Sequence, residues 1–425
     1  MARVLLLLPT ATYRAADFHA AARGLGVDVV IGTERRLAIS AFAEHRCVVV
    51  DLGRPDDAAA TVAAFAATVP LDAVVGVDDA GVVAAAVAAR RLGLPHNDPD
   101  AVRATRDKAL MRRRLAHARV AQPEFGVVAD GADVASAATD VGLPCVVKPV
   151  SLAASRGVIR ADTLDEAAAA AARIRAILVE SSHDPNEPLL VESYVPGFEV
   201  AVEGLLRSGE LEILAVFDKP DPLDGPYFEE TLLVTPSRLP RDALTAVARE
   251  TRAATAALGL AEGPVHAELR VTGGRARVLE VAARSIGGLC SRALRFAAGS
   301  SLEDIILRHA LGLPLDDLRR EAAAAGVMML PIPGSGILER VDGVDDARAV
   351  PGVGEVAITI APGRPLTPLP EGDRYLGFIL ARADKPEEVE AALRAAHACL
   401  TVVLAPKPAP SAAPASQMVP EATTS

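Results

Sequence analysis

Four stretches between residues 103 and 300 hold side chains suited to work on phosphates and on a divalent cation. In the first, the apolar run Cys145-Val146-Val147 delivers Lys148 at its end, and Pro149 stops any ladder there. A loop of small residues follows, Ser151 to Val158, with Ser155 and Gly157 as candidate contacts. Such a loop lets backbone N–H groups approach phosphate oxygens while the lysine supplies charge. Short motifs of this kind recur by chance, so this one gains weight only in company.

The second stretch runs Glu192-Ser193-Tyr194-Val195-Pro196-Gly197-Phe198-Glu199. A strand ends in a Pro-Gly bend, and main-chain groups of Glu192 and Val195 there suit a purine edge. Glu199 lies just past the bend, where a carboxylate accepts from ribose hydroxyls. Glu199 and Glu203 share one strand face, because the side-chain period is two.

The third is a hairpin, His266-Ala267-Glu268-Leu269-Arg270 against Arg277 to Arg284. Glu268 and Glu280 on adjacent strands suit Mg²⁺, which takes oxygen ligands, provided both carboxylates share a face. An odd-length loop over Thr272–Gly274 satisfies that condition and sets His266 opposite Glu280. A two-residue Gly273-Gly274 turn puts them on opposite faces, and the sequence leaves both turns open. His266 itself reads either as a satisfied strand histidine or as a catalytic one. Fourth, Arg284 precedes Ser285-Ile286-Gly287-Gly288, a forked donor beside glycines that suits a carboxylate or acyl-phosphate oxygen.

The elements that must position these residues follow from patterning. In residues 1–100, the apolar runs Val4–Leu8, Val27–Ile31, Cys47–Leu52 and Ala73–Val77 alternate with helical stretches Ala15–Gly24, Asp56–Thr68 and Gly81–Leu92. That alternation predicts a doubly wound α/β domain. Gly24-Leu25-Gly26 ends a helix instead of opening one, against a dinucleotide fingerprint. Asn97 or Asp98 caps one helix running through Lys108 to His117. Strands are expected at Val120–Val128, Leu143–Val150, Leu189–Val195, Glu199–Leu206 and Leu211–Asp218, with helices at Gly131–Val141, Thr163–Val179, Pro240–Leu258 and Leu302–Leu311. The loop Asp218–Pro226 is expected near the substrate. Beyond residue 313 a smaller α+β region is expected, and Ala405–Ser425, with five prolines, reads as a disordered tail.

In chain order the signals are Lys108, Lys148 with its loop, the Glu192–Glu199 bend, Glu268 with Glu280, and Arg284. That order resembles the ATP-grasp superfamily of carboxylate–amine ligases over about residues 95–310. The resemblance implies an α/β and α+β chain: an N-terminal α/β domain over 1–95, a two-subdomain ATP-grasp core over 96–312 and a small C-terminal α+β domain over 313–404. It implies ATP and Mg²⁺, with Mn²⁺ as an alternative ion. Lys108 and Lys148 then contact phosphates, Glu192 and Val195 meet adenine through the backbone, Glu199 binds ribose, and Glu268 and Glu280 hold the metal.

Phe228-Glu229-Glu230-Thr231-Leu232-Leu233 and the segment from Gly326 resemble one branch more closely, the L-amino-acid ligases. There Glu230 reads a substrate amine, and Arg284, with Gly287 and Gly288, binds the substrate and the reacting acyl group. Arg284 and Lys148 are the implied catalytic residues. Two positions depart from the pattern: Leu233 replaces a histidine, and Ala282 replaces the asparagine of E-x-N-x-R, leaving the ions to the glutamates and phosphates. The implied activity is joining a carboxylate to an amine, with release of ADP and phosphate. The rivals are a purine-pathway or bicarbonate-activating ligase on the same scaffold, and a nucleotide-binding protein without turnover.

Bulk properties narrow the field. The 425 residues carry a net charge of −11, which disfavours a nucleic-acid partner. The four cysteines form no CxxC pair and read as buried reduced thiols. The start, Met1 to Leu8, is too short in its apolar core for a signal peptide and reads as a strand. No apolar run approaches the roughly 18 residues of a membrane span. The expected setting is cytoplasmic, the expected partners are small-molecule carboxylate and amine substrates, and a homodimer is left open.

Overall fold

The computed structural model describes residues 1–10, 12–35, 46–315 and 317–406; of the tail expected from Ala405, residues 407–425 lie outside these. The first apolar run forms β1 (Arg3–Leu7), followed by α1 (Ala15–Gly24), β2 (Asp28–Thr33), β3 (Cys47–Val49), α2 (Pro55–Ala66), β4 (Ala73–Gly76) and α3 (Val82–Leu92). The strands make a parallel sheet in the order β3-β2-β1-β4. β1 is apolar on both faces because both are covered. Leu5 and Leu7 pack with Ala58, Ala59 and Ala84 of α2 and α3, while Val4 and Leu6 pack with Phe18 and Ala22 of α1. The second cluster continues into Leu205, Phe217 and Phe378, so this domain is fused to the rest through its core.

The single helix expected from Asp98 to His117 is two. α4 (Pro99–Arg106) is capped by Asp98, and α5 (Lys108–His117) is capped by Asp107, whose carboxylate accepts from Leu110 N–H at 2.8 Å. Asp107 is extended, and the break gives Lys108 a helix start of its own. Next come β5 (Phe125–Val128), α6 (Val134–Val141), β6 (Cys145–Pro149), β7 (Ile159–Ala161), α7 (Leu164–Glu180) and β8 (Leu189–Ser193). These form an antiparallel sheet ordered β5-β8-β6-β7. The strand expected from Val120 begins only at Phe125, because Ala121 is turned to another partner and accepts from Val278 N–H. Along β6 the period of two sends Cys145 and Val147 into the helices and leaves Val146 and Lys148 facing away from them.

The second half contains β9 (Phe198–Arg207), β10 (Glu210–Lys219), β11 (Leu232–Thr235), α8 (Arg241–Leu258), β12 (Gly263–Thr272), β13 (Arg275–Ala282) and α9 (Leu302–Ala310). β14 (Ala324–Leu330), β15 (Gly336–Asp342), α10 (Val344–Ala349), β16 (Val353–Ile358), β17 (Pro365–Leu366), β18 (Gly377–Ala383), α11 (Pro386–Ala398) and β19 (Thr401–Ala405) follow. One eight-stranded sheet runs β13-β12-β9-β10-β11-β14-β18-β16, so strands beyond residue 313 extend the sheet begun by β9. A three-stranded sheet, β17-β15-β19, closes the end. Among the described residues no helix is long and apolar enough to cross a membrane. All four cysteines are free, but only Cys145 and Cys290 are buried; Cys47 and Cys399 are partly exposed, contrary to the expectation of four buried thiols.

Candidate active site

An open cavity lies between the β5-β8-β6-β7 sheet and the eight-stranded sheet. Lys108, Lys148, Ser155, Glu192, Val195, Glu199, Glu230, Glu268 and Glu280 all line it. Gly157, Arg284, Gly287 and Gly288 do not.

At one side Lys148 Nζ lies 2.5 Å from Glu192 Oε2, and Arg112 Nε donates to Glu192 Oε1 at 2.5 Å. Burial alone would raise the Glu192 carboxyl, but Arg112 and Lys148 outweigh it and hold the pKa at about 2. Burial lowers Lys148, with Glu192 opposing that shift. The side chain of Glu192 holds Lys148 and Arg112, while its backbone sits in the ladder between β5 and β6, where the expected main-chain contact to a purine would have to compete with strand pairing. Lys108 Nζ donates to Leu152 O at 2.7 Å and lies 3.3 Å from Glu280 Oε1. The small-residue loop holds Ala154, Ser155 and Gly157 at φ of 56°, 55° and 69°. The N–H groups of Arg156 and Val158 close turns onto Ala153 O and Ser155 O, and that of Gly157 donates to Pro370 O, so the main-chain donors this loop could offer an anion lie before Arg156. Ser151 Oγ is buried with no partner among the described residues, but Ser151 does not line the cavity; Leu152, Ala153 and Ser155 of the loop do.

At the other side Val195 keeps its N–H without a partner among the described residues, while its carbonyl accepts from Arg270 Nη1 at 2.7 Å. Arg270 also donates to Glu199 Oε2 at 2.8 Å and to Leu223 O. Glu199 Oε1 accepts from Lys219 Nζ at 2.8 Å, so both its oxygens already hold charged donors. Apolar walls come from Val146, Leu223 and Leu279. Leu223 of the expected Asp218–Pro226 loop lines the cavity, as does Phe228 beyond it, while Asp218 and Lys219 themselves belong to β10.

The hairpin resolves the open question of its turn. The loop is the two-residue one, Gly273-Gly274, with φ of 56° and 72°, and Thr272 pairs with Arg275. That turn alone would separate the carboxylates. A bulge between Glu268 and Leu269 shifts the register by one, leaves Leu279 as the extra residue, and sets Glu268 directly opposite Glu280. His266 consequently faces Ala282, not Glu280. Arg112 holds the bulge, donating to Val278 O at 3.1 Å and Leu279 O at 2.6 Å.

Around Glu268 the charges are dense. Lys219 Nζ lies 3.3 Å from Glu268 and also bonds Glu230. Burial opposes the charge on Lys219, but Glu199, Glu230 and Glu268 push its pKa well above the usual lysine value. Burial lifts Glu230 to about 7, against Lys219 and with help from Glu268. His266 Nδ1 is 2.5 Å from Glu203, whose other oxygen accepts from Ile286 N–H at 3.0 Å. Burial works against a charged ring, but Glu203 raises His266 to about 9. Glu268 and Glu280 pair across the hairpin and both line the cavity, an oxygen-only pair of the kind Mg²⁺ takes, while the carboxylates that converge within 4.8 Å of one another are those of Glu199, Glu230 and Glu268.

Arg284 is turned to the N-terminal domain. Its Nη2 donates to Asp79 Oδ2 at 2.9 Å, and Arg106 lies 3.1 Å from the other Asp79 oxygen. Burial would raise Asp79, yet the two arginines hold it far below the usual carboxylate range. Gly288 serves packing: at φ 64° a Cβ would lie 2.7 Å from the Phe378 ring. Gly287 faces open space. Leu233 is 1% exposed and packs in the core against β14, not in the cavity.

Arg112, Arg270, Lys219 and Asp79 were not singled out by the sequence. Arg112 follows Lys108 by four residues, the spacing that puts both on one helix face. Arg270 continues the period-two series His266, Glu268, and pairs across to Glu199. Asp79 had no such signal, since its partners arrive from residues 106 and 284.

Residues 18–96 match the ATP-grasp N-terminal domain, 141–293 the ATP-grasp domain, and 328–405 the L-amino acid ligase C-terminal domain 2. An uncharacterized protein of Sinorhizobium fredii is 28% identical over 334 residues, covering 74% of this chain and 68% of that one. The alanine–anticapsin ligase of Bacillus subtilis is 29% identical over 234 residues, covering 51% of this chain and 49% of the ligase. The match thus spans about half the length of that enzyme. The crystal structure of the L-amino acid ligase from Bacillus licheniformis superposes with a TM-score of 0.77 at 24% identity, covering 95% of this chain and 99% of that one, a likeness of fold.

Proposed function

Because the chain is an ATP-grasp protein that carries the C-terminal domain of the L-amino acid ligases, we propose that it joins a small-molecule carboxylate to an amine at the expense of ATP. An amino acid is the amine, and the bond is of dipeptide type. The reading rests above all on Glu268 and Glu280, brought face to face by the bulge in the cavity that Lys108 and Lys148 also line.

The substrate carboxylate attacks the γ-phosphate of ATP, giving an acyl phosphate and ADP. The amine then attacks the acyl carbon, and phosphate leaves. Such a transfer needs charge neutralised and partners aligned, with little covalent work from the protein. Glu268 and Glu280 would hold Mg²⁺, which would supply part of that neutralisation. Lys148, held by Glu192, and Lys108, anchored on Leu152 O, supply the rest at fixed points. The 151–157 loop, whose Leu152, Ala153 and Ser155 line the cavity, covers the phosphates and keeps water from the acyl phosphate. Val195 N–H is the donor for the adenine ring, and Glu199, already paired, orders the ribose. Arg284 meets the reacting acyl group by exchanging Asp79 for it, and Glu230 meets the amine.

The test is Glu280→Ala against wild type, screened with pairs of amino acids for ADP release. The variant is expected to release no ADP with any pair while keeping its circular dichroism. An unimpaired variant overturns the assignment. ADP release by wild type with bicarbonate and no amino acid moves the protein to the bicarbonate-activating reading.

A further inference from the structure

The small-residue loop is not held by its own subdomain alone. Gly157 N–H donates to Pro370 O at 2.9 Å, across more than two hundred residues of chain. Arg156 Nη1 lies 3.7 Å from Asp373 Oδ2. On α7, behind the loop, Arg173 grips Glu371 with a two-point fork, Nε to Oε1 at 2.6 Å and Nη2 to Oε2 at 3.0 Å. All three partners come from the segment between β17 and β18 of the C-terminal domain. That segment is tightly wound: Gly372 N–H donates to Pro368 O, and a Cβ on Gly372 would lie 2.0 Å from Thr367 O.

We propose that residues 368–373 are a latch that holds the 151–157 loop closed over the nucleotide phosphates, with Glu371 and Asp373 as positioning residues for the reaction. This rests on the nucleotide-site reading above. The chemistry favours a releasable contact. The Arg173–Glu371 pair is partly exposed, with side chains 43% and 28% accessible, so solvent and salt weaken it. Its forked geometry keeps it directional. A main-chain bond and two ion pairs that form together hold a loop shut, yet each opens without exposing a core. The C-terminal domain thereby acts on nucleotide retention without touching the nucleotide.

The experiment compares wild type, Glu371→Arg, Arg173→Glu, the charge-swapped double variant and Gly372→Ala. Binding of Mg²⁺ with a non-hydrolysable ATP analogue is measured by calorimetry, and amide hydrogen exchange is followed over residues 151–160. Each single charge variant is expected to weaken analogue binding and speed exchange in that segment by about two- to fivefold, the range of one exposed ion pair. The double swap is expected to recover both readouts. Gly372→Ala is expected to lose both without altering any charge. Exchange in the 263–282 hairpin stays unchanged in all. Singles that match wild type, or a double swap no better than the singles, overturn the latch alone. Absence of analogue binding by wild type overturns the ligase reading instead, and the latch with it.

Discussion

Glu192 shows how one side chain is turned from a solvent-facing acid into a fixture. It is 2% exposed, and its two oxygens are divided between Lys148 and Arg112, the latter fully buried. Removing one member of a buried ionic set leaves the others unpaired in low dielectric, a cost of about 3–5 kcal/mol. Glu192→Gln is therefore expected to lower the unfolding free energy in urea by about that amount. The pH dependence has a definite sign. The group titrates at about 2 in the folded chain against its ordinary 4.5, so its contribution is complete above that ordinary value. It is lost as pH falls from about 4.5 towards 2. In the Gln variant the loss of stability over that window is expected to be shallower, as read from urea midpoints at a series of pH values.

At the scale of the element, the β12–β13 hairpin depends on its bulge, and the bulge depends on Arg112. Lysine at that position keeps a charge near Glu192 but cannot fork to the carbonyls of Val278 and Leu279. Arg112→Lys is expected to raise the Mg²⁺ needed for half-maximal binding of an ATP analogue by about tenfold, the usual effect of disturbing a group that supports a metal ligand. Calorimetric titration checks it. The bulge also marks the limit of sequence reading. The β–α alternation of residues 1–95, the site lysines and the hairpin were legible because each is a local pattern. The two-residue turn was legible as an option, and it argued against a shared carboxylate face. Nothing near Leu279 announces an extra residue, since its cause is a guanidinium supplied from residue 112. Asp107 was missed for the opposite reason: a helical pattern on both sides concealed a second cap. β11 was missed because four residues of strand leave too short a pattern to read.

At the scale of the whole molecule, the eight-stranded sheet joins what the sequence divides. β11 pairs with β14 through Leu232–Met328, Leu233–Val327, Val234–Gly326 and Thr235–Ala325. A chain ended at residue 312 would leave the β11 edge bare and uncover Leu232, Leu233 and Val234, none more than 1% exposed. Such a truncation is expected to run as aggregate on size exclusion, where the full chain gives a discrete species. The same ladder governs any attempt to recombine this protein with its relatives. A hybrid that takes its last hundred residues from elsewhere acquires no tether that can be cut and rejoined at will. It acquires four rungs of main-chain bonding, and Gly326 among them has room for no side chain, its missing Cβ lying 2.7 Å from Leu233 O. Donors for such hybrids are best chosen by whether they keep glycine at that rung.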